Sequence, residues 1–438
     1  MNFVRAIAAL ASVGPLFAQY GGPAILARGQ APGAMSSGQI DFRPYVSVSG
    51  TYDTGLNGVS VNPNGTPVND ASYGVALGFG VSGAHSWKRT RIGLNYSGAY
   101  THYVKSFYDG ISSQSLQLSI SHQLSRHAVL SISTDAALYG SNQASPTLPQ
   151  TIAFDPNTTY IPTNDFFNDR TITVSSQASV TIQKSTRLSY SFGGDAFLTR
   201  RQSASLYGSD GIGARADVQY RISRRSTIGG TYSFMHYFFT GIAGSTNSHS
   251  VTASYSVVLS RSTQFSAYGG ISRYENLFVQ IVPIDPAIAA VIGISSAQQV
   301  SYQANITPDL GVRLSKVVPR GTIFVAASHG INPGNGLFLT STSTNAGVGY
   351  SYTGLRRWSI SAGASYNESN SEGNVIGSYG SYSASLNVSR QVMRMTHGIF
   401  SVYARKYTSG DFQNYNKWVY AVNLGLSFAP GDIPIRFW

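Results

Sequence analysis

Cysteine is absent from the 438 residues, and charged side chains make up only 11% of them. Past the extreme N-terminus, no apolar run approaches the length of a membrane-crossing helix. Each absence removes an option. Without cysteine there are no disulfides and no thiolate chemistry, so the fold rests on backbone hydrogen bonding and packing. Ordinary globular domains carry roughly 25% charged residues, so a chain this long with so few either buries most of itself or faces something other than water. A spanning helix takes about 20 consecutive apolar residues. The one long uncharged apolar run, Ala6 to Ala18 after Arg5, fits a signal peptide ending near Ala18. The expected organisation is therefore a signal peptide over 1–18, a flexible segment over 19–41, a folded body over 42–429 and a tail over 430–438. A lipid-embedded chain with no spanning helix must satisfy its backbone groups between strands, and only a barrel closed on itself does so.

What the sequence does have is alternation. Leu116, Leu118 and Ile120 stand on one parity, with Ser115, Gln117, Ser119, Ser121 and Gln123 on the other. The pattern returns in Ile172, Val174, Ala178, Val180 and Ile182, in Val251, Ala253, Tyr255, Val257 and Leu259, and in Tyr382, Ala384, Leu386 and Val388. Period two also suits a soluble sandwich with one wet face. Two features favour a membrane barrel instead. The segments run to about ten residues, the length a tilted strand needs to cross a bilayer. Short and long connections also alternate, as periplasmic turns and outer loops do. The expected fold is all-β, an antiparallel up-and-down transmembrane barrel of about 18 strands, with short basic periplasmic turns and longer extracellular loops.

The short turns collect the basic residues: Lys88, Arg89, Arg126, Lys184, Arg224, Arg225, Arg261, Arg356, Arg357 and Arg390. Long connections are expected around 53–72, 101–112, 141–169, 200–210, 241–248, 276–298, 330–341, 367–378 and 407–416. Most carboxylates fall there, among them Asp53, Asp70, Asp109, Asp155, Asp165, Asp169, Asp210, Glu275, Asp285, Glu368, Glu372 and Asp411. The net charge of +12 is thus polarised along the barrel axis and does not form the patch a nucleic-acid binder needs. The basic rim suits turn solubility and anionic headgroups, or attraction of anionic solutes or a periplasmic partner. Trp87, Tyr100, Tyr139, Phe238, Trp358 and Trp418 are candidates for the interfacial girdles.

On the inward parity, Ser, Thr, Gly, Asn and Gln dominate. Arg91, Lys105, Arg215, Arg313 and Arg405 join them, as do Asp135, Asp195, Asp217 and Asp309, so the signs nearly cancel. Arg215 and Asp217, two apart on one face, form the clearest local pair. These are the candidate pore-lining residues. Eighteen strands enclose more than side chains fill, so a water channel is expected unless a loop plugs it. The candidate plug is 276–298, with Phe278 and Ile281 followed by Asp285 as N-cap, Pro286 at the first helical position, Ile288, Ile292 and Gly293 as the stop.

Enzyme signatures are missing. Gly78 to Gly83 matches a dinucleotide spacing, but a strand and not a helix follows it. The eight histidines form no zincin pair, and no Gly-x-Ser-x-Gly elbow appears. No cofactor, metal or catalytic role is therefore expected; a barrel-embedded hydrolase is the least favoured alternative.

Tyr420, Val422, Leu424, Leu426 and Phe428 make a last stripe, and the tail ends in Phe437-Trp438. A final strand closing on an aromatic resembles Gram-negative outer-membrane barrel proteins, in which that residue is read by the assembly machinery. The strand is expected to stop at Phe428, because continuing through Ile433 and Ile435 meets two prolines. In strand number and polar lumen the whole mature chain resembles general sugar porins and exopolysaccharide exporters, without a diagnostic motif and without a dense ladder of lumen arginines. The resemblance implies an outer-membrane channel for hydrophilic solutes, possible substrates including neutral or mildly anionic glycans. Its implied partners are outer-membrane lipid and lipopolysaccharide, the barrel-assembly machinery and a periplasmic export partner. The rival reading is a structural anchor whose loops or basic rim bind a partner.

Overall fold

The protein was described from a computed structural model covering residues 40–55, 71–104, 111–140, 170–203, 206–241, 244–285, 291, 293–332, 339–352, 357–372, 377–409, 418–430 and 433–435. The expected signal peptide lies outside the described residues. The strands are β1 (Ile40–Asp53), β2 (Ser72–Ser86), β3 (Thr90–Tyr103), β4 (Ile111–Gln123), β5 (Ala128–Tyr139) and β6 (Thr171–Gln183). They continue with β7 (Leu188–Arg201), β8 (Gly208–Arg221), β9 (Ser226–Thr240), β10 (Gly244–Ser260), β11 (Thr263–Pro283) and β12 (Ser296–Val318). The last are β13 (Gly321–Asn332), β14 (Ser341–Tyr352), β15 (Trp358–Ser371), β16 (Ser378–Gln391), β17 (Thr396–Ser409), β18 (Trp418–Phe428) and the short β19 (Ile433–Ile435).

From β1 to β18 each strand pairs antiparallel with its sequence neighbour, and the ring closes where β1 meets β18, from Val46↔Phe428 to Asp53↔Ala421. The result is a closed barrel of 18 antiparallel strands. Closure extends further than the sequence suggests. After Phe428 the ladder pauses and then resumes across Pro434, with Ile40↔Ile435 and Phe42↔Ile433, so β1 begins two residues before the expected Phe42. A proline is tolerated there because a strand end needs few donors.

The alternation sorts the side chains as expected. Val46, Val48, Val75, Leu77, Phe79, Phe192, Ile212, Val251, Ile271, Leu424 and Leu426 point outward and are exposed, which in water would be an untenable apolar belt. Thr51, Thr101, Thr171, Thr199, Ser209, Thr231, Thr252 and Ser381 take the other parity and are buried toward the interior. This polarity is inverted relative to a soluble domain. It is the arrangement of an integral outer-membrane β-barrel, greasy outside and hydroxylic within.

Short turns share one device. In Ser125-Arg126-His127, Ser185-Thr186-Arg187 and Ser223-Arg224-Arg225 the serine Oγ accepts a hydrogen bond from the amide two residues on. Ser185 and Ser223 also accept from the amide three residues on. The serine thus ties down amides that the ladder leaves over, as such residues do in turns. The basic side chains beside it project into solvent.

Aromatics on the inner wall lie over glycines of the neighbouring strand. Tyr45 is registered with Gly80, Phe197 with Gly211, Tyr268 with Gly311 and Phe324 with Gly349, and in each pair the ring fills the space a Cβ would need. These glycines are sites of close packing as much as of backbone freedom.

Three expectations are corrected. The stretch 276–298 is a loop only in its middle: β11 runs to Pro283 and β12 starts at Ser296, pairing all the way to Pro283↔Ser296. Phe278 is thus a strand residue of a long hairpin, while most of the expected helix from Asp285 to Gly293 lies outside the described residues, Val291 within it being helical. The expected loop 241–248 shrinks to three positions, since β10 starts at Gly244. Ser245, Asn247 and His249 obscured the alternation there by placing polar groups on the outward parity. Tyr139 is no girdle residue, because it is registered with Thr171 on the inner face. Tyr100, Phe238 and Trp418 do stand exposed at the outer ends and Trp87 at an inner turn.

Candidate functional site

The lumen wall is built row by row from the inward parity of every strand. Arg91 is registered with Ser121, and Asp135 with Gln117. Arg215 lies across β7 over Gly193, where a side chain would meet its guanidinium, and reaches Gln177, whose amide oxygen accepts from it. Asp217 accepts from Thr231 Oγ1 at 2.7 Å. At these contacts Arg215 and Asp217, the pair expected from the sequence, each bond a neutral side chain of another strand. Asp309 accepts from Ser250 at 2.7 Å and Ser272 at 3.3 Å. Arg313 sits 5.6 Å over the Phe324 ring. Asp195 is registered with Gln177 and Gly213.

Arg405 is the most enclosed cation, 6% exposed between Tyr403 and Tyr407. Its guanidinium donates to the Tyr403 hydroxyl at 2.5 Å and the Tyr407 hydroxyl at 2.8 Å, and lies 5.0 and 5.6 Å from the two ring centres. Asp53, expected in a loop, is the last residue of β1 and is buried in the same row as Tyr403, across Ala421. One carboxylate oxygen accepts from the Gly55 amide at 2.7 Å. Arg201 was also missed: it faces inward and donates to Thr171 Oγ1 and the Tyr207 carbonyl. A parity count taken to the very strand ends finds both residues. Asp210 and Glu368 likewise lie near strand ends and Glu275 in the middle of β11, not in loops; Asp210 pairs with Arg200, and Glu275 with Arg273 at 2.7 Å. The lumen remains near charge balance with these additions. Among the described residues no group of three His, Cys, Asp or Glu is placed to hold a metal ion.

Lys105, Ile288, Ile292 and Arg356 lie outside the described residues. Ile281 belongs to β11, and Asp285 is exposed just beyond it. Phe278, expected in a constricting loop, is a wall residue and 8% exposed. Lys88, Arg89, Arg126, Lys184, Arg224, Arg225, Arg261, Arg357 and Arg390 are all exposed at the short-turn end. Arg390 is the last but one residue of β16, stacked 5.1 Å from Trp358, and Arg357 takes a left-handed φ of 78° to turn the chain.

Contacts across the interior do exist, made by Phe278 together with residues the sequence did not single out. Leu339, just before β14, shares an apolar cluster with Phe197, Tyr237, Phe239 and Phe278, inward side chains of β7, β9 and β11. Next to it, Thr340 Oγ1 stands 2.9 Å from Thr246 Oγ1 and 3.1 Å from Asn276 Oδ1. Glu372, just after β15, accepts from Tyr274 Oη at 2.5 Å and from Thr342 Oγ1 at 3.2 Å, while its carbonyl accepts from Asn276 at 3.4 Å. Asn305 donates to Tyr274 Oη at 3.2 Å. Since β10 and β14 are separated around the ring by three strands, these contacts pass through the interior and not along the wall.

No family model matches this chain, and no curated protein matches it. Among solved structures, the ferric-catecholate import receptor Fiu of E. coli K12, in an open form, aligns over 90% of this chain and 82% of its own. Its identity is 8% and its TM-score 0.44. OpdQ of Pseudomonas aeruginosa aligns over 91% of this chain and 98% of its own, at 9% identity and a TM-score of 0.41. A BenF-like porin of Pseudomonas fluorescens Pf-5 covers the same shares at 8% identity and a TM-score of 0.42.

Proposed function

We propose that the protein is a passive outer-membrane channel for hydrophilic, mainly uncharged solutes, with glycans as the favoured class. The observation that carries this reading is the lining. Its inward rows are mainly hydroxyls and amides with aromatics among them, and charges there bond neutral neighbours or rings, as Arg215 does Gln177 and Arg405 does Tyr403 and Tyr407. Such a wall offers hydrogen bonds to a sugar without holding an ion of either sign. Eighteen strands leave room for water inside. A dense cationic ladder, which a strongly anionic polymer would favour, is not part of the described wall.

A second reading has one observation of its own. β11 and β12 stay paired with each other beyond Phe278, where pairing with β10 stops, and beyond Leu310, where pairing with β13 stops. The hairpin therefore rises above its neighbours and offers an anchor's binding surface on the loop side. Liposome swelling separates the two readings. A channel gives swelling in neutral oligosaccharides faster than in charged solutes of equal size, with a reversal potential near zero in a salt gradient. No swelling from correctly inserted protein refutes the channel and leaves the anchor; strong selectivity for one sign refutes the neutral-solute class.

A further inference from the structure

The outer ends of β13, β14 and β15 form one unit. β13 pairs with β14 up to Asn332↔Ser341, β14 with β15 up to Ser341↔Ser371, and the Glu372 amide donates to the Thr340 carbonyl at 2.9 Å. On one flank the unit is cut loose from the wall. The β12–β13 ladder stops at Leu310↔His329, although β13 continues to Asn332 and β12 extends back to Ser296. Pro308, which has no amide hydrogen to donate, stands just past the break. Gly330 lies beside Asp309 there and brings no side chain of its own.

Through the interior the unit touches side chains of β7 and β9 to β11 with Leu339, Thr340 and Glu372. The bonds made there join hydroxyl, amide, phenol and carboxylate groups, for which water is a ready substitute at a channel mouth. The ladders of the wall are different in kind, since a strand inside lipid has no such substitute. β15 stays paired with β16 up to Asn370↔Ser378, which makes that ladder the hinge; with a free edge toward β12 and exchangeable side-chain bonds across the mouth, the unit has two positions open to it.

We infer that Leu339, Thr340 and Glu372 are a releasable latch: engaged with Thr246, Tyr274 and Asn276 they narrow the outer mouth, and released they let the outer ends of β13–β15 swing back toward the line of β12. This goes beyond passage itself and assigns the protein a gate. It depends on the channel reading for only one of its two readouts.

The absence of native cysteine makes the test clean. With Thr246→Cys and Thr340→Cys together, whose native hydroxyls are 2.9 Å apart, oxidation yields a single crosslink across the mouth. In planar bilayers the oxidised protein is expected to stay at its lowest conductance level and to regain higher levels on reduction. Glu372→Gln should lengthen the time spent in the higher level several-fold. Crosslinked and reduced protein that conduct alike overturn the inference, as does a pair that never crosslinks. A second measurement needs no conduction. With Thr246→Cys alone, labelling by a membrane-impermeant maleimide should be slow and should accelerate several-fold when Glu372→Gln is added. Equal rates in the two backgrounds overturn the latch. Heat-modifiable migration checks that each variant is a folded barrel, and protein that labels as expected but never conducts overturns the channel reading alone.

Discussion

At the inner rim the turns are held locally, several of them by a serine hydroxyl taking the amides two or three residues ahead, whereas the outer mouth is held by partners far along the chain. Ser223 bonds Arg225 and Ser226, while Thr246 meets Thr340 across 94 residues and Tyr274 meets Glu372 across 98. The difference has a physical source. A two- to four-residue turn has enough local partners to satisfy itself, and its basic side chains can stay in solvent. The mouth brings polar groups out of water and must find them partners wherever the closed ring presents them. The inner rim is therefore modular, and the outer mouth is cooperative.

Several substitutions would break or sharpen that contrast. The largest effect is expected from Phe278→Ala, which empties the apolar cluster under Leu339. A buried aromatic lost to alanine costs about 3–5 kcal/mol. Urea unfolding of the bilayer-inserted barrel should show it, while Leu124→Ala, exposed beside an inner turn, should stay within about 0.5 kcal/mol. A smaller loss is expected from Gly80→Leu, which forces a side chain under Tyr45; overpacking of this kind costs about 1–3 kcal/mol. Gly230→Ala is its control, because nothing lies within 4 Å of the added atom. Smaller again is Ser223→Ala, removing the cap on two amides, at about 0.5–1.5 kcal/mol. If the inner turns are modular, its effect adds to that of Ser185→Ala in the double variant, and a strongly non-additive double would deny the contrast. The smallest effect on stability belongs to Arg224→Glu, Arg225→Glu and Arg357→Glu combined, since exposed charges contribute little. Their reversal potential should nonetheless move toward cation preference, and an unchanged value would leave the basic rim without a role in ion entry.

The wall was legible because period two is written locally. Leu116, Leu118 and Ile120 disclose their face without reference to any other strand, and the basic turns mark the reversals. Legibility failed where the local rule was interrupted or did not apply. Apolar residues from Phe278 run straight into the Asp285-Pro286 pair, so the run read as one loop while Phe278 and Ile281 were continuing a strand. Ser245, Asn247 and His249 put polar groups outward near the outer border of the apolar belt, which erased the signal that β10 had already begun. Tyr139 and Asp53 were misassigned for a simpler reason, because parity was not carried to the last residue of each strand. The latch was out of reach altogether. No periodicity of Thr340 or Glu372 points to Thr246 or Tyr274; only closure of the ring sets them face to face.

Closure also dictates the timetable of folding. Val46 is registered with Phe428 and Asp53 with Ala421, so β1 waits with an unsatisfied edge until nearly the whole chain has been made. Pairings this distant in sequence are slow, because the entropy of the intervening chain is spent before any bond is gained. The outermost bonds of β1 thus form last, and its border stays adhesive until the final spanning strand covers it.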